Sequence, residues 1–78
     1  ARERGRDDRS ARGRYALAMA LLSLKSGDAV EGVRQGLSAL ACARDLVDAR
    51  GEAAALKTLA ACYRALGHDA YAERLDRA

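Results

Sequence analysis

The segments ALAMALLSLKSG (16–27) and LKTLAACYRALG (56–67) lie forty residues apart, share one helical residue pattern, and both end on a glycine. In the second segment apolar residues recur three and four positions apart, the spacing that places them on one face of an α-helix. A glycine directly after such a run commonly ends the helix. Self-similarity at a fixed period is typical of helical repeats, whose units bury their apolar faces by stacking on one another. The two segments therefore predict a repeated helical unit.

Turn and capping signals divide the chain into four helices. Asp28 followed by Glu31 forms a capping-box-like start directly after Gly27. Gly51 is expected to end that second helix, and Asp69 can cap a short last one. The predicted helices span residues 10–26, 29–49, 52–66 and 69–77. The predicted fold class is all-α, with two antiparallel helical hairpins in a domain at residues 10–78.

The second predicted helix carries two different stripes. Its large apolar stripe consists of Val30, Val33, Leu37, Leu40 and Val47, and its small-residue stripe consists of Gly32, Gly36, Ala39 and Ala43. Small residues let two helices approach closely, whereas large ones fill the space against a partner. We therefore expect this helix to pack on both sides, with the large stripe facing the third helix.

The first fourteen residues hold the whole formal net charge of +3, because they contain six arginines and three acids. Such arginines can contact phosphates, but acids are interleaved and no aromatic is present in this segment for base stacking. Mixed-charge runs usually stay hydrated. Residues 1–9 are therefore expected to be a mobile leader or an extension of the first helix. A nucleic-acid-binding arm is the less favoured alternative.

Composition and motifs argue against catalysis, cofactors, metals and membranes. No apolar run is long enough to cross a membrane, and no signal-peptide pattern is present, so a cytoplasmic protein is expected. Cys42, Cys62 and His68 lack the spacing of a zinc site, and no nucleophile stands with a base. We expect no enzymatic activity, no cofactor and no metal. The arginine-rich, alanine-rich composition suggests a bacterial source.

Residues of the repeated plan resemble the tetratricopeptide family. They are Leu56, Leu59, Ala60, Tyr63, Gly67 and Ala72 in the second copy and Gly27, Asp28, Gly32, Ala39 and Leu40 in the first. The forty-residue spacing is similar to that of long-helix variants in bacterial signalling and transcription regulators. Ala16 and Ser23 depart from the family pattern, as does the missing proline. The resemblance implies a right-handed α-solenoid fragment of a larger regulatory protein that binds a protein or peptide.

One helix face differs between the two copies and supplies the candidate binding residues. A leucine stripe on the first helix corresponds, forty residues on, to a stripe with two cations. In tetratricopeptide proteins this face lines the concave groove, so the resemblance implies a partner with apolar and acidic side chains. The candidate residues are Leu17, Leu21, Leu24, Lys25, Lys57, Ala61 and Arg64.

Two other interpretations of these stripes stay open. The leucines can be the core of a compact bundle and the cations a solvated face, and helical stripes are more often core than site. Alternatively, copies of the chain associate with one another, because its alanine- and leucine-rich apolar half buries little area per residue.

Overall fold

Four α-helices make up residues 2–77, the part of the backbone that the computed structural model describes; side chains are described for residues 8–77. The helices are α1 (Arg2–Lys25), α2 (Ala29–Asp45), α3 (Ala49–Ala65) and α4 (Asp69–Arg77). Within that range no strand occurs. The prediction of an all-α fold built from helical hairpins is confirmed. Residues 2–9 of the predicted leader form the first turns of α1, and residue 1 lies outside the described range.

Three turns of one geometry separate the helices at intervals of twenty residues. Their left-handed residues are Gly27, Val47 and Gly67, with φ of 86°, 52° and 88°. After each of them, a backbone amide donates a 2.8 Å hydrogen bond to the carbonyl five residues earlier, from Asp28 to Ser23 in the first turn. This is the Schellman motif, which satisfies carbonyls left over at a helix end. The repeated unit is thus one helix plus one turn.

The middle turn lies earlier than the sequence predicted. The second helix was expected to continue to residue 49 and end at Gly51, but α2 ends at Asp45 and α3 begins at Ala49. Gly51 lies in the first turn of α3, where its amide donates a 3.0 Å hydrogen bond to Asp48 Oδ1. A Cβ at residue 51 would collide with Asp48 Oδ2. Glycine therefore makes room for the capping carboxylate here and does not end a helix.

The start of α4 also differs by one residue from the prediction. Asp69 was expected to cap this helix, but it is the first helical residue, and the His68 carbonyl accepts the first backbone hydrogen bond, from the Ala72 amide at 3.0 Å. The negative charge of Asp69 still lies in the first turn, where it favours the positive end of the helix dipole.

α2 buries its small-residue stripe and exposes much of its large one, contrary to the prediction. The four small residues are buried, whereas Val30 and Leu37 are exposed. An added Cβ at Gly36 would lie 2.8 Å from Leu59 Cδ2, and one at Gly32 would lie 2.7 Å from Cys62 Sγ. Leu59 and Cys62 of α3 thus fill the space that the glycines leave. Of the large stripe, Leu40 is buried and Val33 packs against the core, whereas Val30 and Leu37 contribute nothing to it.

The core lies where α1, α2 and α3 meet, because each of these helices contacts the other two. α4 is attached to α3 alone within the described chain. Tyr63 holds this attachment through an edge-to-face contact with Tyr71 at a centroid distance of 4.8 Å, and Ala72 is fully buried. The buried cluster consists of Ala16, Ala39, Leu40, Ala55, Leu56 and Leu59.

We expect the substitution Val47→Gly to raise the free energy of unfolding by about 0.5–1 kcal/mol. The left-handed conformation is about 1–2 kcal/mol less favourable for a residue with a side chain than for glycine. About 0.5–1 kcal/mol of this gain is offset because glycine loses more conformational entropy on folding. The Val47 side chain is 90% exposed, so its removal sacrifices no packing. Urea denaturation followed by circular dichroism measures the change.

The reverse substitution at the equivalent turn, Gly67→Val, is the matched control, since nothing lies within 4 Å of an added Cβ there. It should lower the free energy of unfolding. A loss of stability in Val47→Gly would contradict the assignment of strain to this turn.

Candidate functional site

The candidate face is formed by α1 and α3, the two helices that the forty-residue spacing makes equivalent. Both pack on α2, and they contact each other as well. The three leucines of α1 are not equally exposed. Leu17 packs against the buried cluster and Leu24 is half-buried, whereas Leu21 is 44% exposed. Leu21 is therefore the leucine of this stripe most available to another molecule.

The cations of the face also differ in how available they are to another molecule. Lys25 and Lys57 are exposed, with half-buried Ala61 one turn beyond Lys57 on α3. Arg64 is exposed but pairs with Asp76 of α4. The hydrogen bond to Asp76, together with the charge of that carboxylate, raises the pKa of the Arg64 guanidinium. Arg64 thus helps to hold α4 on α3, and the two lysines carry the accessible charge.

Two further cations extend the face and were missed in the sequence. Arg50 lies seven residues before Lys57, and Arg14 lies seven residues before Leu21; both are exposed. Residues seven apart share one side of a helix. The seven-residue spacing of Arg50, Lys57 and Arg64 could have identified Arg50 from the sequence. Arg14 was missed because it was assigned to the arginine-rich first fourteen residues. Among the described side chains, no carboxylate lies within 4.0 Å of the charged groups of Lys25, Arg50 or Lys57.

Two cavities border this face. One of about 320 Å³ lies between α3 and α4 beside Lys57, with Leu56 and Leu75 on its walls. The other, of about 100 Å³, lies where α1, α2 and α3 meet and includes Arg14 and Cys42 in its lining. In residues 8–77 no three potential metal ligands come together.

The histidine and the cysteines occupy separate environments. His68 is exposed and stands edge-on to Tyr63 at a centroid distance of 6.3 Å. Both cysteines are free thiols. Cys42 packs towards α1, because an added Cβ at Gly13 would lie 3.0 Å from its Cβ, whereas Cys62 packs against α2.

Comparisons with protein-family models, with curated proteins and with solved structures find no match to this chain. None of the described helices is long and apolar enough to cross a membrane.

Burial raises the pKa of the Cys62 thiol, which makes the stability of the chain depend on pH. The folded thiol stays protonated at pH values where the unfolded chain loses this proton. The contribution of Cys62 is therefore complete below the unfolded pKa of about 8.5 and is lost as pH rises through the higher folded pKa. We expect the stability advantage of the wild type over Cys62→Ala to shrink when pH rises from about 8 to about 10.

Urea denaturation across that pH range measures the two free energies of unfolding, and Cys42→Ala serves as the control for removal of a thiol. An advantage over Cys62→Ala that stays constant with pH would contradict the burial of a neutral thiol.

Proposed function

We propose that this chain is a non-catalytic interaction module that binds a protein or peptide segment across the exposed face of α1 and α3. The observation that supports the proposal is the contact between α1 and α3, together with the exposure of Leu21 on α1 and of Lys57 on α3. Neither helix needs to move to offer this surface, because both are held by α2.

The arrangement that we propose is a fragment of a tetratricopeptide-like α-solenoid from a regulatory protein. It is supported by turns of one geometry at a twenty-residue interval. It is supported as well by the contacts, since each helix packs on its sequence neighbours and α1 also packs on α3. In such a solenoid the first helices of successive hairpins share one surface, as the resemblance implies for α1 and α3.

The chemistry of the face selects a segment with both apolar and acidic side chains. Covering the exposed half of Leu21 is worth about 1 kcal/mol, because complete burial of a leucine contributes about 1.5–3 kcal/mol. An ion pair with exposed Lys25 or Lys57 adds at most about 1 kcal/mol and weakens in salt. Leucine and lysine contributions are therefore comparable, so affinity should be moderate and should fall with ionic strength.

Selection from a random-peptide display library on the immobilised chain tests this proposal. Enriched peptides should combine a bulky apolar residue with Asp or Glu. Leu21→Glu should weaken their binding at least about tenfold, because it replaces an apolar contact by a charge that repels acidic residues. Leu37→Glu changes a leucine of similar exposure on α2 and should bind like the wild type. Titration calorimetry measures the affinities, and circular dichroism checks that both variants are folded.

Two results would contradict the peptide-binding proposal. One is a selection without enrichment, and the other is enriched peptides that bind Leu21→Glu as well as the wild type. Titration with single- and double-stranded oligonucleotides at several salt concentrations covers the alternative. Tight binding with a steep salt dependence would assign the function to the arginine-rich start of α1 instead.

A further inference from the structure

α1 carries a second face on the side turned away from the rest of the chain. At 100° per residue, Ala18 is about 200° from both Ala16 and Ala20, which are buried against the other helices. Ala18 is therefore at the centre of the outward side. Tyr15 and Leu22 flank it and are 65% and 59% exposed.

These residues belong to a line with alternating spacings of three and four, which we call the outer seam. It consists of Asp8, Ala11, Tyr15, Ala18, Leu22 and Lys25, all of them exposed. Alternation of three and four is the spacing by which two helices pair along their length. The seam begins with an acid and ends with a base, and large and small residues alternate between them.

This order is complementary to itself when a second copy runs in the opposite direction. Aligned about the point between residues 16 and 17, Tyr15 faces Ala18 of the second copy. Ala11 faces Leu22 of the second copy, and Asp8 faces its Lys25. Each large side chain thus meets a small one, and each charge meets its opposite. A parallel alignment would instead place Tyr15 on Tyr15 and like charges on each other.

We propose that two copies of this chain associate through antiparallel pairing of their α1 helices along the outer seam. The occupant is a second copy because the acid, the base and the large and small residues occur in an order that is complementary to its own reverse. Leu21 and Lys57 of the proposed peptide-binding face are not part of the seam, whereas Lys25 belongs to both, so a subunit of the dimer keeps Leu21 and Lys57 for a peptide. The seam spans about 25 Å at 1.5 Å per residue, a short interface, so the dimer should dissociate on dilution.

Sedimentation equilibrium over a concentration series tests the association. The wild type should shift from monomer to dimer as its concentration rises. Leu22→Glu should raise the dimer dissociation constant at least about tenfold, because twofold symmetry places the new charge in two apolar contacts. Leu37→Glu, an exposed leucine of α2 outside the seam, should leave the dissociation constant unchanged. A wild type that stays monomeric up to millimolar concentration, or a Leu22→Glu variant that dimerises equally well, would overturn the proposal.

A charge swap tests the antiparallel register. Asp8→Lys and Lys25→Asp each create two like-charge pairs per dimer and should each raise the dissociation constant about three- to thirtyfold. The double variant with both changes restores opposite charges and should return to the wild-type value. Equal association of all four proteins, or a double variant as weak as the single ones, would overturn the register.

Discussion

The close contact of Gly32 and Gly36 of α2 with Cys62 and Leu59 of α3 determines how α1, α2 and α3 are arranged. Gly36 receives Leu59, and Gly32 receives Cys62, at separations that would not admit even a methyl group. An added Cβ at Gly32 would also lie 3.4 Å from the Ala20 carbonyl of α1. At Gly32, α2 is thus close to both α1 and α3. Because of this closeness α1 and α3 reach each other and form a common surface.

The same constraint decides which side chains remain available. Small residues make up most of the buried side of α2, and its Val30 and Leu37 side chains are exposed. On α1 the buried side is lined by Ala16, Ala20 and Ser23, which leaves leucines and Tyr15 at the edges and on the outer face. A buried side of small residues on α1 therefore leaves apolar residues outside, where they form the two proposed binding surfaces.

Helix number and two of the three turns could be predicted from the sequence, because Gly27 and Gly67 suit the left-handed conformation that ends a helix. The middle turn could not be found in this way, since Val47 is a poor residue for that conformation and Gly51 offered a false signal. A better signal for this turn was the recurrence of an aspartate after twenty residues, at Asp28 and Asp48. For the candidate site, the residue spacing predicted which side chains share a helix face. It did not predict that Leu17 is packed against the core while Leu21 is exposed, because that difference depends on how closely α1 approaches α3, a distance that periodicity does not give.

A double-mutant cycle between Gly36 and Leu59 tests the central contact most directly. In the wild type, Gly36→Ala should lower the free energy of unfolding, because overpacking costs about 1–3 kcal/mol and exceeds the gain of about 1 kcal/mol in helix propensity. In a Leu59→Ala background the added methyl group has room, so the same substitution should be neutral or stabilising. Sucrose in all four samples keeps the least stable protein folded. An effect of Gly36→Ala that is the same in both backgrounds would contradict the account.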